Sequence, residues 1–275
     1  QPFPGGPAAP GVLPGYGTEM SPQPESDIPQ RSFPAPAGQR LPGTVPIRME
    51  QWLCRDAVFG AQMALRDRLL REKPAKVMAQ LPEAAGALAE TMALVRAWLE
   101  TAPGYEVSRD AVGRPDGKQI ATDGAVLPAL GRLVQEDFLV HLPRNDTYYM
   151  AGGVLCFPAS WSLEEKLGRD LAAIHAPVAA YDANIARRVG RLFDGLRVGR
   201  PLMRANWLGY ATHDLYQPRS EAAPRTEKAA TFMRVERQCL LRLPESGAVL
   251  FSIHTFVVPI KALPATARGA LEGRE

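Results

Sequence analysis

The chain has 275 residues, a formal net charge of +3 and 46% hydrophobic residues, which is enough for one large domain with its own core. Lysine and arginine are dispersed and form neither a basic block nor an aromatic–basic stripe, so we expect no nucleic-acid partner. No apolar run approaches the length of a membrane span, so we expect a soluble protein with no membrane partner.

The three cysteines, Cys54, Cys156 and Cys239, are far apart in the sequence. The chain contains no CxxC pair, which argues against a zinc site or a cysteine-ligated iron–sulfur cluster. It also lacks CxxCH, the attachment motif of covalent c-type haem. Scattered, unpaired cysteines are typical of a reducing compartment, so the predicted localisation is cytoplasmic.

Composition divides the chain into three parts. Residues 1–46 are dense in proline, glycine, alanine and serine and have no apolar period, which predicts an irregular arm without a core of its own. Residues 47–262 are predicted to form a single domain, and residues 263–275 a tail.

The first half of the domain has a helical pattern. Residues 52–71 and 82–99 carry apolar side chains near helical spacing, which predicts two helices that pack against a core. Residues 110–123 are polar and rich in turn residues, and residues 127–135 are predicted to form a short helix.

Residues 162–174 predict a helix that begins with a capping box, because Ser162 is a good N-cap and Glu165 stands three residues later. Leucines at i, i+4 spacing share one face of this helix, and His175 is the next member of that series. Pro177 cannot continue the helix, so His175 is expected at its C-terminus. Such a histidine is either a core residue whose ring nitrogens bond the backbone or an axial ligand of a metal or haem iron.

Strand patterns dominate the rest of the chain. Residues 148–157 and 203–210 are predicted to be strands, with a helix over residues 179–196 between them. Residues 233–242 and 249–257 alternate polar and apolar side chains on either side of a Pro-Glu-Ser-Gly turn, which predicts a hairpin. Helices combined with an antiparallel hairpin predict an α+β fold.

Seven segments resemble, in order, blocks of one family. They are QED at residues 135–137, YYMAGG at 148–153, FPASW at 157–161, KLGRDLAAIHAPV at 166–178, RANW at 204–207, RVERQCLLRLP at 234–244 and LFSIHTF at 250–256. Their succession over roughly residues 52–260 resembles the haem-dependent oxidative N-demethylase-like family, formerly a domain of unknown function. The chain departs from the family pattern at His254, where that pattern has an arginine.

The resemblance implies a PAS-like antiparallel sheet with additional N-terminal helices, and non-covalent haem b bound against the sheet. It favours His175 as the axial ligand of the haem iron, with His213 as the runner-up. His141 and His254 are weaker candidates for the same role, since His254 is predicted on the polar side of its strand, which faces either solvent or a pocket.

The two propionates of a haem need cationic partners, because a buried unpaired carboxylate is costly. Arg204, which belongs to a matching block, is the leading candidate, and Arg237 and Arg191 are weaker ones. Trp207 is assigned either to the core or to the haem wall.

Glu236 lies in mid-strand between two arginines. It either forms a solvated ion pair or, if its face of the strand lines the haem pocket, binds an ammonium substrate and takes a proton during amine oxidation. Asn206 and Tyr210 are predicted to add polar contacts beside it.

The implied activity is O2-dependent oxidative N-demethylation, or a related oxidation, of a small secondary amine. The iminium product would hydrolyse to formaldehyde and a shorter amine. Because the chain has no GxGxxG after a strand, no P-loop and no four-cysteine cluster, electrons are expected from a separate NAD(P)H-dependent flavin/iron–sulfur reductase. A haem-PAS gas or redox sensor, and a non-haem binding protein that keeps the family fold, remain alternatives.

Overall fold

The computed structural model describes residues 43–176, 183–223 and 229–263. These residues form a large antiparallel sheet with helices on both sides, which confirms the predicted α+β class. The strands are β1 Val45–Pro46, β2 Met78–Gln80, β3 Glu106–Val107, β4 Ala111–Gly113, β5 Gln119–Ala121, β6 Asp137–Arg144, β7 Thr147–Val154, β8 Leu202–Tyr210, β9 Phe232–Arg242 and β10 Val249–Pro259. The helices are α1 Phe59–Glu72, α2 Pro74–Val77, α3 Ala85–Leu99, α4 Val126–Leu133, α5 Leu163–Lys166, α6 Leu171–His175 and α7 Ala183–Gly195.

The large sheet has the order β1-β8-β9-β10-β6-β7-β2, and strands β3, β4 and β5 form a second, small sheet. The longest strand pair of the large sheet is the hairpin of β9 and β10. These strands pair from Arg242 opposite Val249 to Phe232 opposite Pro259. None of the helices in the described residues is long and apolar enough to cross a membrane.

Side chains alternate between the two faces of this sheet, because successive residues of a strand point to opposite sides. One face, here called the N-terminal face, packs Cys239 and Leu250 against the apolar sides of α1, α3 and α4. The other, here called the His175 face, packs Leu240 and Ile253 toward residues of α5, α6 and α7. Each fully buried aliphatic side chain stabilises the fold by about 1.5–3 kcal/mol relative to exposure.

A buried ion pair joins the N-terminal helices to the sheet. Arg66 of α1 and Asp137 of β6 are both fully buried, and Arg66 Nη1 lies 2.8 Å from Asp137 Oδ1. Asp137 also accepts hydrogen bonds from the backbone N–H groups of Cys156 at 2.7 Å and Phe157 at 2.9 Å. The QED segment therefore anchors both α1 and the start of the FPASW segment.

Several sequence predictions are confirmed. The predicted helix over residues 82–99 is a 3₁₀ turn at Pro82–Ala84 followed by α3, and the short helix over 127–135 is α4. The predicted hairpin is β9 and β10. The first helix begins later than predicted, at Phe59, because residues 52–58 form a loop whose Trp52 bonds Ser252 of β10 and Arg237 of β9.

Residues 110–123, predicted as turns, contribute the short strands β4 and β5, and β6 was not predicted at all. Val45 and Pro46, placed in the irregular arm by composition, pair with Met203 and Leu202 of β8. Residues 1–42 and 264–275, which hold the rest of the arm and most of the tail, lie outside the described residues.

The single helix predicted over residues 162–174 is wrong, because the segment breaks into α5 and α6 around Gly168, which has φ +77°. Gly168 donates its N–H to Met150 O at 2.8 Å, and Met150 donates back to Arg169 O at 3.0 Å. The part of β7 that β2 does not cover, at Tyr149 and Met150, thus pairs with these residues as with a strand, and glycine permits the left-handed conformation that the turn requires. The expected capping box is absent, since Ser162 makes no side-chain cap hydrogen bond.

Candidate functional site

His175 lies at the C-terminal end of α6, as predicted, although the helix is short. Asp170 caps this helix by accepting a hydrogen bond from Ala173 N at 2.8 Å. His175 Nδ1 lies 2.8 Å from the carbonyl oxygen of Leu171. Because a carbonyl only accepts, Nδ1 carries the proton, and in the neutral ring Nε2 carries the lone pair. Metal-ligating histidines commonly show this arrangement.

The charge state of His175 is also that of a metal-ligating histidine. Burial lowers the pKa of His175, and the positive charges of Lys166 and Arg204 lower it further, against the hydrogen bond to Leu171. The imidazole is therefore neutral at pH 7. A neutral imidazole is the form that binds iron.

Lys166 fixes the position of α6. Its buried ammonium donates to the Ile174 carbonyl at 2.6 Å and pairs with the carboxylate of Glu221. Arg169 pairs with the same carboxylate at 3.0 Å. The segment that follows β8 is thereby tied to the helix end that presents His175.

His141 of β6 lies close enough to His175 for the two rings to interact electrostatically. It is 4% exposed, and its ring packs edge-on against Phe193 at 5.7 Å and Phe251 at 6.5 Å between centroids. Burial, with a smaller contribution from His175, lowers the pKa of His141 to about 4. Within the described parts of the chain, His141 Nδ1 is buried without a hydrogen-bond partner.

Arg204 of β8 stands on the His175 face and is half-buried. Burial lowers the pKa of Arg204, and Glu236 only partly compensates. Among the residues that the structure describes, Arg204 has no hydrogen-bond or ion-pair partner. A half-buried guanidinium without a counterion is a site for an anionic ligand.

Glu236 of β9 lies directly across from Asn206 of β8, so these two predicted residues are brought together. The carboxylate is 4% exposed, and it accepts from Arg234 Nε at 3.3 Å and from Gln238 Nε2 at 3.0 Å. The sequence-based alternative, that Glu236 forms a solvated ion pair, is therefore wrong, because the ion pair between Glu236 and Arg234 is buried. Its partner is Arg234, which shares the face, and not Arg237.

Tyr210 ends β8 and bonds Ser160 of the FPASW segment, with 2.9 Å between the two hydroxyl oxygens. Arg234 holds the same segment by donating to the Phe157 carbonyl, and it also donates to Leu215 O at 3.0 Å. The FPASW segment is thus held by hydrogen bonds on the His175 face, near the start of β9. Tyr210 is six residues beyond Arg204, which is about 20 Å along a strand.

Two predicted haem contacts lie on the opposite face. Arg237 donates to the carbonyl of Trp52 at 2.6 Å and to that of Gln51. Trp207 packs against the apolar cluster of the N-terminal face that contains Val235 and Phe256. Neither residue lies on the His175 face. Arg237 directly follows Glu236 in β9, and Trp207 is three positions after Arg204 in β8, so in each strand the two side chains point to opposite faces.

The weaker histidine and arginine candidates are also dispersed. His213 packs against Phe232 at 5.3 Å between ring centroids, at the end of β8 that is distant from Arg204. Arg191 is exposed on α7. His254 is fully buried on the N-terminal face and contacts Glu136 and Asp56.

An apolar wall completes the site, and most of it was not identified from the sequence. Trp161, Ile174 and Phe251 are partly buried and pack on a cluster that contains Met150 and Ile253. Trp161 belongs to the matched FPASW block, and Phe251 belongs to a strand that was predicted from alternation. Neither pattern predicts which other elements pack beside these two residues. These partly buried side chains supply apolar contacts on the face of the sheet that carries Arg204.

This donor set fits a haem. The neutral imidazole suits the iron, the apolar side chains suit the porphyrin plane, and the guanidinium of Arg204, which Glu236 compensates only in part, suits a propionate. Independently, the family model described as haem-dependent oxidative N-demethylase, alpha subunit-like, matches residues 43–272, which is most of the chain. The chain therefore belongs to the haem-dependent oxidative N-demethylase alpha subunit-like family.

Proposed function

We propose that this chain is a haem-dependent oxidoreductase that uses O2 for oxidative N-demethylation, or a related oxidation, of a small secondary amine. The observation that carries the proposal is the 2.8 Å contact between His175 Nδ1 and Leu171 O, which directs the lone pair of a neutral ring to Nε2. The contact lies on the same face as Arg204 and Glu236. The family description, which names haem dependence and oxidative N-demethylation, supports it.

Three sets of residues would hold non-covalent haem b. His175 is the proposed axial ligand, Arg204 the propionate partner, and Trp161, Ile174 and Phe251 the apolar wall. When bound, haem supplies the redox chemistry with O2 that amino-acid side chains lack. The protein supplies orientation, exclusion of water and charge.

Glu236 is the proposed anchor of the amine. A secondary amine is protonated at pH 7, and a buried carboxylate attracts such an ammonium strongly. Arg234 and Gln238 each use one oxygen of Glu236, which leaves lone pairs for a further donor. Glu236 would then accept the ammonium proton, since oxidation requires the neutral amine.

Oxidation removes two electrons and one proton from the neutral amine and leaves an iminium. Water adds to the iminium carbon, and the C–N bond breaks to give formaldehyde and the shorter amine. Asn206, directly across from Glu236, is a proposed polar contact for the substrate. Tyr210 is proposed to act at the rim through Ser160.

The sheet order supports a PAS-like core. The five central strands of the sheet have the order β8-β9-β10-β6-β7. The strand that comes first in the sequence, β6, therefore lies between β7, the second, and β10, the last. The helices α5, α6 and α7 lie between the second and third of these strands in the sequence. The family's description as an alpha subunit supports the presence of further protein components, and we propose that electrons come from a separate NAD(P)H-dependent flavin/iron–sulfur protein.

The test is an absorption spectrum of the purified protein with haemin, oxidised and then reduced, followed by formaldehyde assays with dimethylamine, O2 and a chemical reductant. A Soret band that shifts on reduction, with amine-dependent formaldehyde, is expected. A haem spectrum without turnover of any small methylamine would support a sensor instead. A protein that never acquires a haem spectrum would overturn the proposal.

A further inference from the structure

Three side chains that are remote in the sequence converge on the N-terminal face. Cys54 precedes α1, Glu136 precedes β6, and His254 lies in β10. Their potential ligand atoms, one sulfur, one carboxylate oxygen and one ring nitrogen, all lie within 4.8 Å of one another. Across residues 43–176, 183–223 and 229–263, this is the group of histidine, cysteine and acidic side chains that meets the geometric requirement for a metal ion.

The histidine of this cluster is oriented by two carboxylates. His254 Nδ1 lies 3.1 Å from Glu136 Oε1, and His254 Nε2 lies 2.9 Å from Asp56 Oδ2. Metal-bound histidines commonly present one nitrogen to the metal while the other donates to a carboxylate. Asp56 is in the position to accept that second hydrogen bond, which leaves Nδ1 directed toward Glu136 and Cys54.

Glu136 supplies an independent indication of a ligand. The residue is 1% exposed, and its Oε1 accepts from Cys54 N at 2.8 Å. Its Oε2 is buried and has no hydrogen-bond partner in the described part of the chain. A buried carboxylate oxygen without a donor is costly, and a cation beside it would remove that cost.

We propose that Cys54 Sγ, the Glu136 carboxylate and His254 Nδ1 bind a zinc ion, with Asp56 orienting His254 from the other side of its ring. The combination of thiolate, imidazole and carboxylate is a zinc ligand set, with a fourth position left for water. Cys54 and Asp56 are only partly buried, which provides a path for entry of the metal.

The site would connect the loop before α1 to the central strand β10. The absence of CxxC pairs predicted that the chain has no zinc site, but that motif describes only ligands that are close in the sequence. Here Cys54 and Glu136 are 82 residues apart, and Glu136 and His254 are 118 residues apart. The cluster lies on the opposite face of the sheet from His175, so it does not depend on the proposed haem function.

The test uses the full-length protein and Zn²⁺ or Co²⁺ as the probe. Zinc per chain is measured by elemental analysis after zinc loading and dialysis, and Co²⁺ is followed by its thiolate charge-transfer absorption. One retained zinc per chain and a cobalt–thiolate band are expected for the natural sequence. Cys54→Ser and His254→Arg are expected to weaken zinc affinity roughly tenfold or more.

His254→Arg is the folding control, because arginine keeps a positive charge between Asp56 and Glu136 but has no lone pair for a metal. Cys239→Ser is the matched thiol control, since Cys239 is buried on the same face and its Sγ lies 3.8 Å from Trp52 O instead of among the ligands. Equal zinc affinity in Cys54→Ser, His254→Arg and the unmodified chain, or no retained zinc in the unmodified chain, would overturn the proposal. Haem content is measured alongside and is expected to be unchanged.

Discussion

The Nδ1 of His175 lies 2.8 Å from the carbonyl oxygen of Leu171, one helical turn earlier. This single contact fixes the tautomer of the ring, and burial among positive charges keeps the ring neutral. The same face carries a buried Glu236 and a half-buried Arg204, whose unfavourable burial Glu236 offsets only in part.

Replacing His175 by alanine is expected to abolish or severely weaken haem retention, because the proposed iron ligand is removed. The pyridine haemochrome content of the purified variant measures this. His213→Ala is the matched control and should keep its haem, since His213 packs against Phe232 at the far end of β8. Unchanged haem content in His175→Ala would remove His175 as the ligand.

Arg204→Leu is expected to lower haem affinity while leaving the haem-free protein equally stable or about 1 kcal/mol more stable. Burial of the guanidinium is unfavourable, and an apolar replacement removes that cost. Haemin titration and urea unfolding of the haem-free protein measure the two quantities. A variant that binds haem normally but unfolds more easily would show that Arg204 is structural.

Glu236→Gln is expected to impair amine turnover more than haem binding. The amide keeps an acceptor for Arg234 but loses the charge that attracts an ammonium. Steady-state formaldehyde production and haem content are compared in the same preparation. Equal losses of both would assign Glu236 to the fold.

His141→Phe is expected to flatten the pH dependence of stability between pH 6.5 and about 4. The pKa of His141 is lowered from 6.5 to about 4, so across this range the unfolded chain binds a proton that the folded chain excludes. Folding stability is therefore complete above pH 6.5 and declines as the pH falls, by up to about 3 kcal/mol at about 1.4 kcal/mol per pH unit. Urea unfolding at several pH values tests this, and parallel curves for the two proteins would contradict it.

Asp137→Ala is expected to destabilise the protein by about 3–5 kcal/mol, because it leaves the buried Arg66 without its counterion. It also removes the acceptor for the N–H groups of Cys156 and Phe157. Denaturant unfolding measures the loss. Asp116→Ala, which removes a partly exposed partner of Arg114, is the milder comparison, and equal effects would contradict the special role of the buried pair.

Elements with a strong local pattern could be predicted from the sequence. The α3 helix and the β9–β10 hairpin carry long periodic runs, which is why both were predicted. The strand β6 was missed because both of its faces are buried, so it shows no alternation. The break at Gly168 was missed because the edge of β7 competes with the helix for hydrogen bonds, and that edge is not a local feature.

The sequence by itself determined the α+β class and the family and supplied the candidate site residues, because periodicity and motif order are properties of the linear chain. Only the tertiary structure decided which of those residues meet. Strand pairing put Arg204 and Glu236 on the His175 face and placed Arg237, Trp207 and His254 on the other face. It also joined Cys54, Glu136 and His254 across more than a hundred residues, because sheet register and helix packing set distances that sequence spacing does not contain.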